Sequence, residues 1–459
     1  MRHVIATLLL AASPVLHYAQ TNPAITSWLI NTTGAKGRHY VQGNPAPIAD
    51  TMLANVMLVR YSEAYSYVNC NGIPSYVIGP YPDGNPATAV GRNYLFKIPL
   101  DPQPNTGTKT AVGLGHIAVL VNGVPVYNYA DARSYNNQNI WHQNAVFFER
   151  IGFDCSKGHP APLRTGPPGM GGGSADGQYH HHQDPSAFNV AKVVMSDICD
   201  MYLADGLYVP DSTQHGPLIG FAFDGYPIYA AYGWADGTQS VRRITSSYQI
   251  RSIGERTTLP DGTVLSTSQY GPALSQYPLG AYAEDYEYLA GSGDLDEHNG
   301  RFCITPEYPG GTYAYFATID EDGNSVYPYV IGPTYYGVVE QSNFAGTGPG
   351  AAPTRVTITE PVTRYLPGVT SVRDVENAIT PTVFPNPAMD VIIVQVRQPL
   401  QADATVSMYD LRGVLVRSSR IHSGSTMCYV DVETLYAGTY IVHVETHGVV
   451  RSYPVILGE

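Results

Sequence analysis

The sequence predicts a mainly β protein: a mixed, β-rich body with minor helix, followed by a small immunoglobulin-like β-sandwich module. Gly, Pro and Tyr are abundant, with 46, 36 and 36 copies in 459 residues. Gly and Pro punctuate short elements, and Tyr favours strands and half-wet surfaces. Two segments share one hairpin design, VLVNGVPVY at 119–127 and FAFDGYPIY at 221–229. In each, an apolar run meets Asn-Gly or Asp-Gly and resumes as a Pro-containing apolar run. Those dipeptides supply the positive φ of a tight turn. The C-terminal part alternates apolar and polar residues in short stretches, which is the period of strands.

The chain is long enough for two or three domains. Arg2 and His3 precede an apolar run at 4–12, with a second short run at Val15 and Leu16. Residues 1–19 therefore read as a signal peptide, with Ala19 at the cleavage point and Gln20 starting the mature chain. The run is too short to span a bilayer, and no later stretch is long or apolar enough. The body follows at 20–340. YVIGP occurs in it at 76–80 and again at 329–333. With the two hairpins, this repetition means either a distant duplication or two equivalent sheet edges. The best helix candidate is 186–203, where Val190, Val193, Val194, Ile198 and Met201 fall near helical spacing.

Residues 341–374 form a linker or connector. QSNFAGTGPGAAP at 341–353 is rich in Gly, Pro and Ala, which suits a linker. VTITEPVTRY at 356–365 is one last strand or more connector. The module at 375–459 shows six strand-like stretches, at 391–396, 405–409, 415–421, 428–432, 439–446 and 449–457. Val391, Val394, Val406, Met408, Ile441 and Val444 offer apolar faces from which a sandwich closes its own core.

Cysteines stand at 70, 155, 199 and 303 in the body and at 428 in the module. The even body set suits two disulfides in an oxidising compartment, with reduced buried thiols as the alternative. Cys428 has no partner in the module and is expected as a free, mostly buried thiol. None shows CxxC spacing. Charged residues make up 14% of the chain and the formal net charge is -13. Such a chain repels phosphate backbones, which argues against nucleic-acid binding.

The module resembles the C-terminal sorting domain of the type IX secretion system of Bacteroidota. The matching segments are VFPNPAMD at 383–390, MYDLRGVLV at 408–416 and LYAGTYIVHV at 435–444. The resemblance implies the type IX secretion machinery as a partner, passage through the outer membrane, and removal of the module during release or anchoring. The body, over roughly 70–337, resembles the bacterial family named for a Tyr-His-Tyr-His motif. The likeness rests on GHP at 158–160, GQYHHH at 177–182, HGPLIGFAFDGYPIY at 215–229, LDEHNGRFCITPEYPGGTYAYF at 295–316 and YPYVIG at 327–332. Two departures stand out. His181 occupies the place of the family's second Tyr, and Ala314 stands where a His is typical.

The histidines carry the chemical reading. In a strand, alternate side chains share a face, so His180 and His182 lie about 6.5–7 Å apart along it. Two imidazoles at that spacing reach one metal ion, while His181 points away. PPGMGGGSADG at 167–177 supplies a flexible approach. His159, His215 and Asp224 are the further candidate ligands, and imidazoles with a carboxylate suit Zn, Cu or Fe. Plain cross-strand packing of hydrogen-bonded imidazoles is the alternative. His116 and His142 read as structural, and His298 as a polar loop residue. Asp320, Asp322 and Asn324 form a turn with oxygens at alternate positions, a candidate Ca site or a solvated hairpin turn. No G-x-S-x-G elbow, H-E-x-x-H, phosphate loop or dinucleotide fingerprint occurs.

The sequence thus points to a secreted or surface-displayed protein with a histidine metal site and no assigned activity. Two alternatives remain. One is a non-catalytic surface protein that binds glycans or another envelope component, motivated by many tyrosines and few charges. The other is an extracellular metal-dependent enzyme, against which Ala314 weighs.

Overall fold

The computed structural model describes residues 22–83, 88–164, 173–188, 199, 201–235, 238–344, 354–367, 381–396, 400, 403–446 and 449–458. The expected signal peptide and most of the helix candidate lie outside them. The chain divides into two compact units, Thr21–Tyr365 and Leu366–Glu459.

The first unit is built on a nine-stranded sheet. In spatial order its strands are Gly158–Arg164, Gly173–His181, Pro125–Tyr127, His116–Leu120, Leu218–Ala222, Pro227–Tyr229, Thr312–Phe316 and Gly300–Cys303, with Thr88–Ala89 paired to Gly173–His181. The two hairpins expected from sequence occupy the centre. Their first strands pair antiparallel, with Val119 opposite Phe221. Every residue of these four central strands is buried. A sheet covered on both faces needs apolar residues at every position, hence the unbroken apolar runs. One cover is a four-stranded sheet of Thr363–Arg364, Val56–Tyr61, Tyr65–Cys70 and Tyr94–Pro99. There Phe96 stacks on Phe223 at 5.7 Å and Tyr94 meets His116 edge-on at 5.3 Å.

At the hairpin turns only the glycine takes positive φ, Gly123 at 81° and Gly225 at 89°. The Leu120 amide donates to the Val124 carbonyl at 2.9 Å, and the Ala222 amide to Tyr226 at 3.0 Å. Each turn is thus a three-residue loop ending in a left-handed glycine bulge. A side chain at Gly123 would also collide with Cys70.

Helix is minor. Among the described residues the α-helical turns are Pro23–Thr26 and Ala145–Phe148. Ser186, at the start of the expected helix, instead bridges to Gly206 in extended form; residues 189–198 lie outside the described set. Residues 173–177, expected as a flexible approach, belong to the strand Gly173–His181. Residues 167–172 lie outside the described residues.

The stretch 354–365, whose segment 356–365 reads as one last strand or more connector, runs along the body and holds the strand Thr363–Arg364. Leu95 donates to Thr354 at 2.9 Å, Val356 donates to Leu95 at 3.1 Å, and Thr363 pairs with Tyr61. The Tyr67 hydroxyl donates to Glu360 at 2.9 Å. The cysteine expectation is corrected as well. One disulfide forms, Cys155–Cys199, while Cys70 and Cys303 are buried thiols. Cys70 lies against the tight Gly123 turn, where its Sγ is 3.2 Å from the Gly123 carbonyl. Cys428 is a buried thiol, as expected.

The second unit has two antiparallel sheets. One orders Thr382–Phe384, Val391–Gln395 and Met427–Asp431; the other orders Leu415–Ile421, Ala404–Tyr409, Gly438–Thr446 and Val449–Leu457. Both feed one apolar cluster that includes Ile392, Val394, Val406, Met408, Val430, Val442 and Val444. Val391 and Ile441, expected inside, are half-buried. With a period of two, their neighbours Ile392 and Val442 take the inner face. No helix among the described residues is long and apolar enough to cross a membrane.

Candidate metal centre

Two antiparallel strands assemble the site. Gly158–Arg164 and Gly173–His181 pair with His159 opposite His180, so these imidazoles emerge on one face. His182, two residues beyond His180, shares that face. The parallel pairing of His181 with Val126 brings Tyr127 alongside. Its ring lies over His180, with centroids 3.8 Å apart and planes 23° from parallel. Phe153 meets His159 edge-on at 4.8 Å. A fourth group arrives from another element. The helical turn Ala145–Phe148 is capped by Asn144, whose side chain accepts from the Val146 amide. The turn ends at Glu149, whose carboxylate reaches the imidazoles.

One ligand atom from each of Glu149, His159, His180 and His182 lies within 4.8 Å of the others. Nε2 of His180 and Nε2 of His182 are 3.0 Å apart. Glu149 Oε2 is 3.1 Å from Nε2 of both His159 and His182. The three histidines are buried, while the Glu149 side chain is 29% exposed. The Glu149 oxygen that faces the histidines, Oε2, is itself buried.

Backbone carbonyls fix the tautomers. His180 Nδ1 is 2.9 Å from the Gln178 carbonyl, and His182 Nδ1 is 2.5 Å from that of Asn128. A carbonyl only accepts, so each Nδ1 carries a proton, and a ring without a second proton presents a lone pair at Nε2. Two lone pairs facing each other at 3.0 Å repel unless a cation or a shared proton lies between them. His159 Nε2 and Glu149 Oε2, despite their 3.1 Å separation, lack the alignment of a hydrogen bond and have no other hydrogen-bond partner. A cation among the four atoms satisfies all of them. Burial opposes the charge on Glu149, yet His182 and His159 hold its carboxyl well below the usual range. Burial, with His159 and His182 alongside, pushes His180 well below the ordinary imidazole value. A carboxylate among imidazoles anchored by carbonyls is a donor set suited to first-row transition metals.

On the opposite face, His181 donates from Nδ1 to the Lys157 carbonyl at 3.1 Å and accepts at Nε2 from the Tyr76 hydroxyl at 2.6 Å. Burial pushes its pKa down to about 3, so it is a neutral link in the core. The structure does not bring His215 or Asp224 to the cluster. His215 is half-buried between Tyr229 and Trp234, with Nδ1 on the Gly216 carbonyl at 2.7 Å. Asp224 is buried at the second hairpin turn, where it accepts from the Tyr315 hydroxyl at 2.6 Å and the Gly337 amide at 2.9 Å. Those bonds give it a turn-fixing role.

The remaining candidates have partners of other kinds. His116 Nδ1 faces the Thr354 hydroxyl at 3.1 Å, His142 pairs with Glu284, and His298 Nδ1 meets the Thr334 carbonyl at 3.0 Å. Asp320 takes the amides of Asp322 and Asn324 and the Asn324 side chain. Its oxygens thus close the turn internally, and among the described residues no cluster of three His, Cys, Asp or Glu ligands forms there. Glu149 was not legible in the sequence. It stands ten positions before His159, on a different element, with no spacing that links it to the histidine strand.

Fold and site together define a β-rich, histidine-clustered body joined to an export module. The chain belongs to the YHYH protein family, whose match covers residues 95–327 and includes all four clustered residues. Residues 382–456 match the secretion system C-terminal sorting domain. The protein is accordingly secreted or surface-associated and engages the secretion machinery through that module. No curated protein matches the chain.

Proposed function

We propose that the body binds one transition-metal ion outside the cell, through His159, His180, His182 and Glu149. The observation that supports this most is the pair of carbonyl-anchored imidazoles whose Nε2 atoms converge at 3.0 Å beside a carboxylate. Three nitrogens and one oxygen suit Zn, Cu or Fe. Of the four ligands only the Glu149 side chain is not buried. Bound there, the metal would supply Lewis-acid or redox chemistry. The chain's own contribution is to orient two of the imidazoles through backbone carbonyls and to wall the cluster with Tyr127 and Phe153. The glycan-binding alternative draws little support, because Tyr67, Tyr94, Tyr179, Tyr229, Tyr282, Tyr315 and Tyr335 are fully buried.

The C-terminal unit is proposed to close as an immunoglobulin-like β-sandwich, since both its sheets line one core. Elemental analysis of the mature chain tests the metal reading. It should show about one transition metal per chain, as expected of one four-ligand site, and the His180→Ala/His182→Ala variant should lose it. Trace metal, unchanged in that variant, would sink the proposal.

A further inference from the structure

We infer that the body is a fused duplicate whose second half retains the frame of the metal centre with its ligands replaced. The nine-stranded sheet reads the same outward in both directions from the central pair His116–Leu120 and Leu218–Ala222. On one side, Pro125–Tyr127 pairs parallel with Gly173–His181, which pairs antiparallel with Gly158–Arg164. On the other, Pro227–Tyr229 pairs parallel with Thr312–Phe316, which pairs antiparallel with Gly300–Cys303. The registers coincide. Val126 faces His181 as Ile228 faces Tyr315, and Gly158 faces His181 as Gly300 faces Tyr315.

The turn before each edge strand repeats the correspondence atom by atom. Asp154 accepts at one oxygen from the amides of Ser156 and Gly158, at 3.0 and 3.1 Å. Asp296 accepts likewise from His298 and Gly300, at 2.9 and 3.2 Å. The hydroxyl of Tyr179 reaches both oxygens of Asp154, at 3.2 and 3.0 Å, and that of Tyr313 both oxygens of Asp296, at 2.9 and 3.0 Å. Lys157 and Asn299, each just before the glycine, take left-handed φ of 63° and 64°. A side chain at Gly158 would collide with the Tyr179 hydroxyl, and one at Gly300 with that of Tyr313. Between the turns FDCSKGHP and LDEHNGRF only the Asp and the Gly are shared. Two unrelated segments would not be expected to match at each of these bonds.

The same register assigns the ligand positions. Arg301 stands for His159, Ala314 for His180 and Phe316 for His182, because Arg301 faces Ala314 as His159 faces His180. Tyr229 stands for Tyr127. Its ring lies 6.0 Å from Phe316, and its hydroxyl donates to Glu307 at 2.7 Å. The Arg301 guanidinium sits 5.5 Å over the Phe316 ring and donates to the Trp234 carbonyl at 2.5 Å. A covalently fixed cation thus occupies the second half at the position corresponding to His159, in place of a metal-binding imidazole. Among the described residues, the only cluster of three or more potential metal ligands is the four-residue one of the first half.

The inference rests on the metal reading of the first half, and its test separates the two. Arg301→His/Ala314→His/Phe316→His should rebuild the ligand face. The exchange is close to volume-neutral, since Arg and Phe are larger than His and Ala is smaller. Zn per chain is measured for the wild type, for this triple variant, and for both combined with His180→Ala/His182→Ala. The triple substitution should add about one Zn per chain in either background, as a second imidazole site would. A folded triple variant with its parent's Zn content overturns the duplicate frame. A metal-free wild type whose triple variant gains Zn overturns only the first-half reading. If Ala314→His blocks folding, Arg301→His/Phe316→His adds no larger group, and its paired imidazoles should bind Cu(II) that the wild type does not take up there. Unchanged Cu(II) content in that folded variant likewise overturns the inference.

Discussion

His116 sits at the start of a central strand, with its ring enclosed by Tyr94, Phe96 and Tyr127. Burial pushes its pKa down to about 4 from 6.5. An imidazole depressed by folding takes up its proton more readily in the unfolded chain. Its contribution to stability is therefore present above about pH 6.5 and is lost as pH falls through about 4. Compared with the non-titrating His116→Gln variant, the wild type should lose about 3 kcal/mol of stability between pH 7 and pH 4. Denaturant unfolding of both proteins across that range checks it, and a pH-independent difference would mean the ring is not held neutral. At this scale the sequence was informative where a local period existed. His180 and His182 were found because alternation in a strand is a two-residue rule. Glu149 was not, because it meets them only through tertiary packing. His215 and Asp224 looked equivalent to His159 along the chain, but the sheet places their strand on the far side of its centre.

The strand Gly158–Arg164 presents His159, and its position depends on one close approach. Gly158 lies directly against the Tyr179 hydroxyl, which is tied to Asp154. Gly158→Ala must therefore displace either the strand or the tyrosine, at a cost of about 1–3 kcal/mol. If the strand moves, His159 moves with it, so metal affinity should fall together with the melting temperature. An alanine variant with wild-type melting and wild-type metal affinity would show that this approach does not position the ligand. The central hairpins were legible as elements, since apolar runs broken by Asn-Gly or Asp-Gly have few other readings. The ends of the sheet were not. Residues 173–177 are glycine-rich and polar, and they are strand only because Gly158–Arg164 and Thr88–Ala89 pair with them on either side. The cysteine count could not show that Cys155 alone in its neighbourhood would meet a partner 44 residues on.

For the whole chain, composition marked a boundary after the body but placed it too early. Residues 341–353 do have a linker's composition, yet the chain continues onto the body beyond them. Val356 is buried through backbone pairing with Leu95, and the Tyr365 amide donates to the Val59 carbonyl at 2.9 Å. VTITEPVTRY reads equally as one last strand or as more connector, and the pairing of Thr363 with Tyr61 selects the strand. The next paired residue among those described is Thr382, in the second unit. The body should therefore extend to Tyr365. A chain ended after Tyr365 should keep the body's melting temperature and its metal. A chain ended after Glu340 loses the burial of Val356 and its neighbours, about 3–5 kcal/mol, and should melt roughly 5–10 °C lower. The second unit fills its own core with Ile392, Val406, Val442 and their neighbours. Equal melting of the two truncations would place 354–365 outside the body after all. Loss of metal on ending the chain after Tyr365 would mean that the export module helps to hold the site.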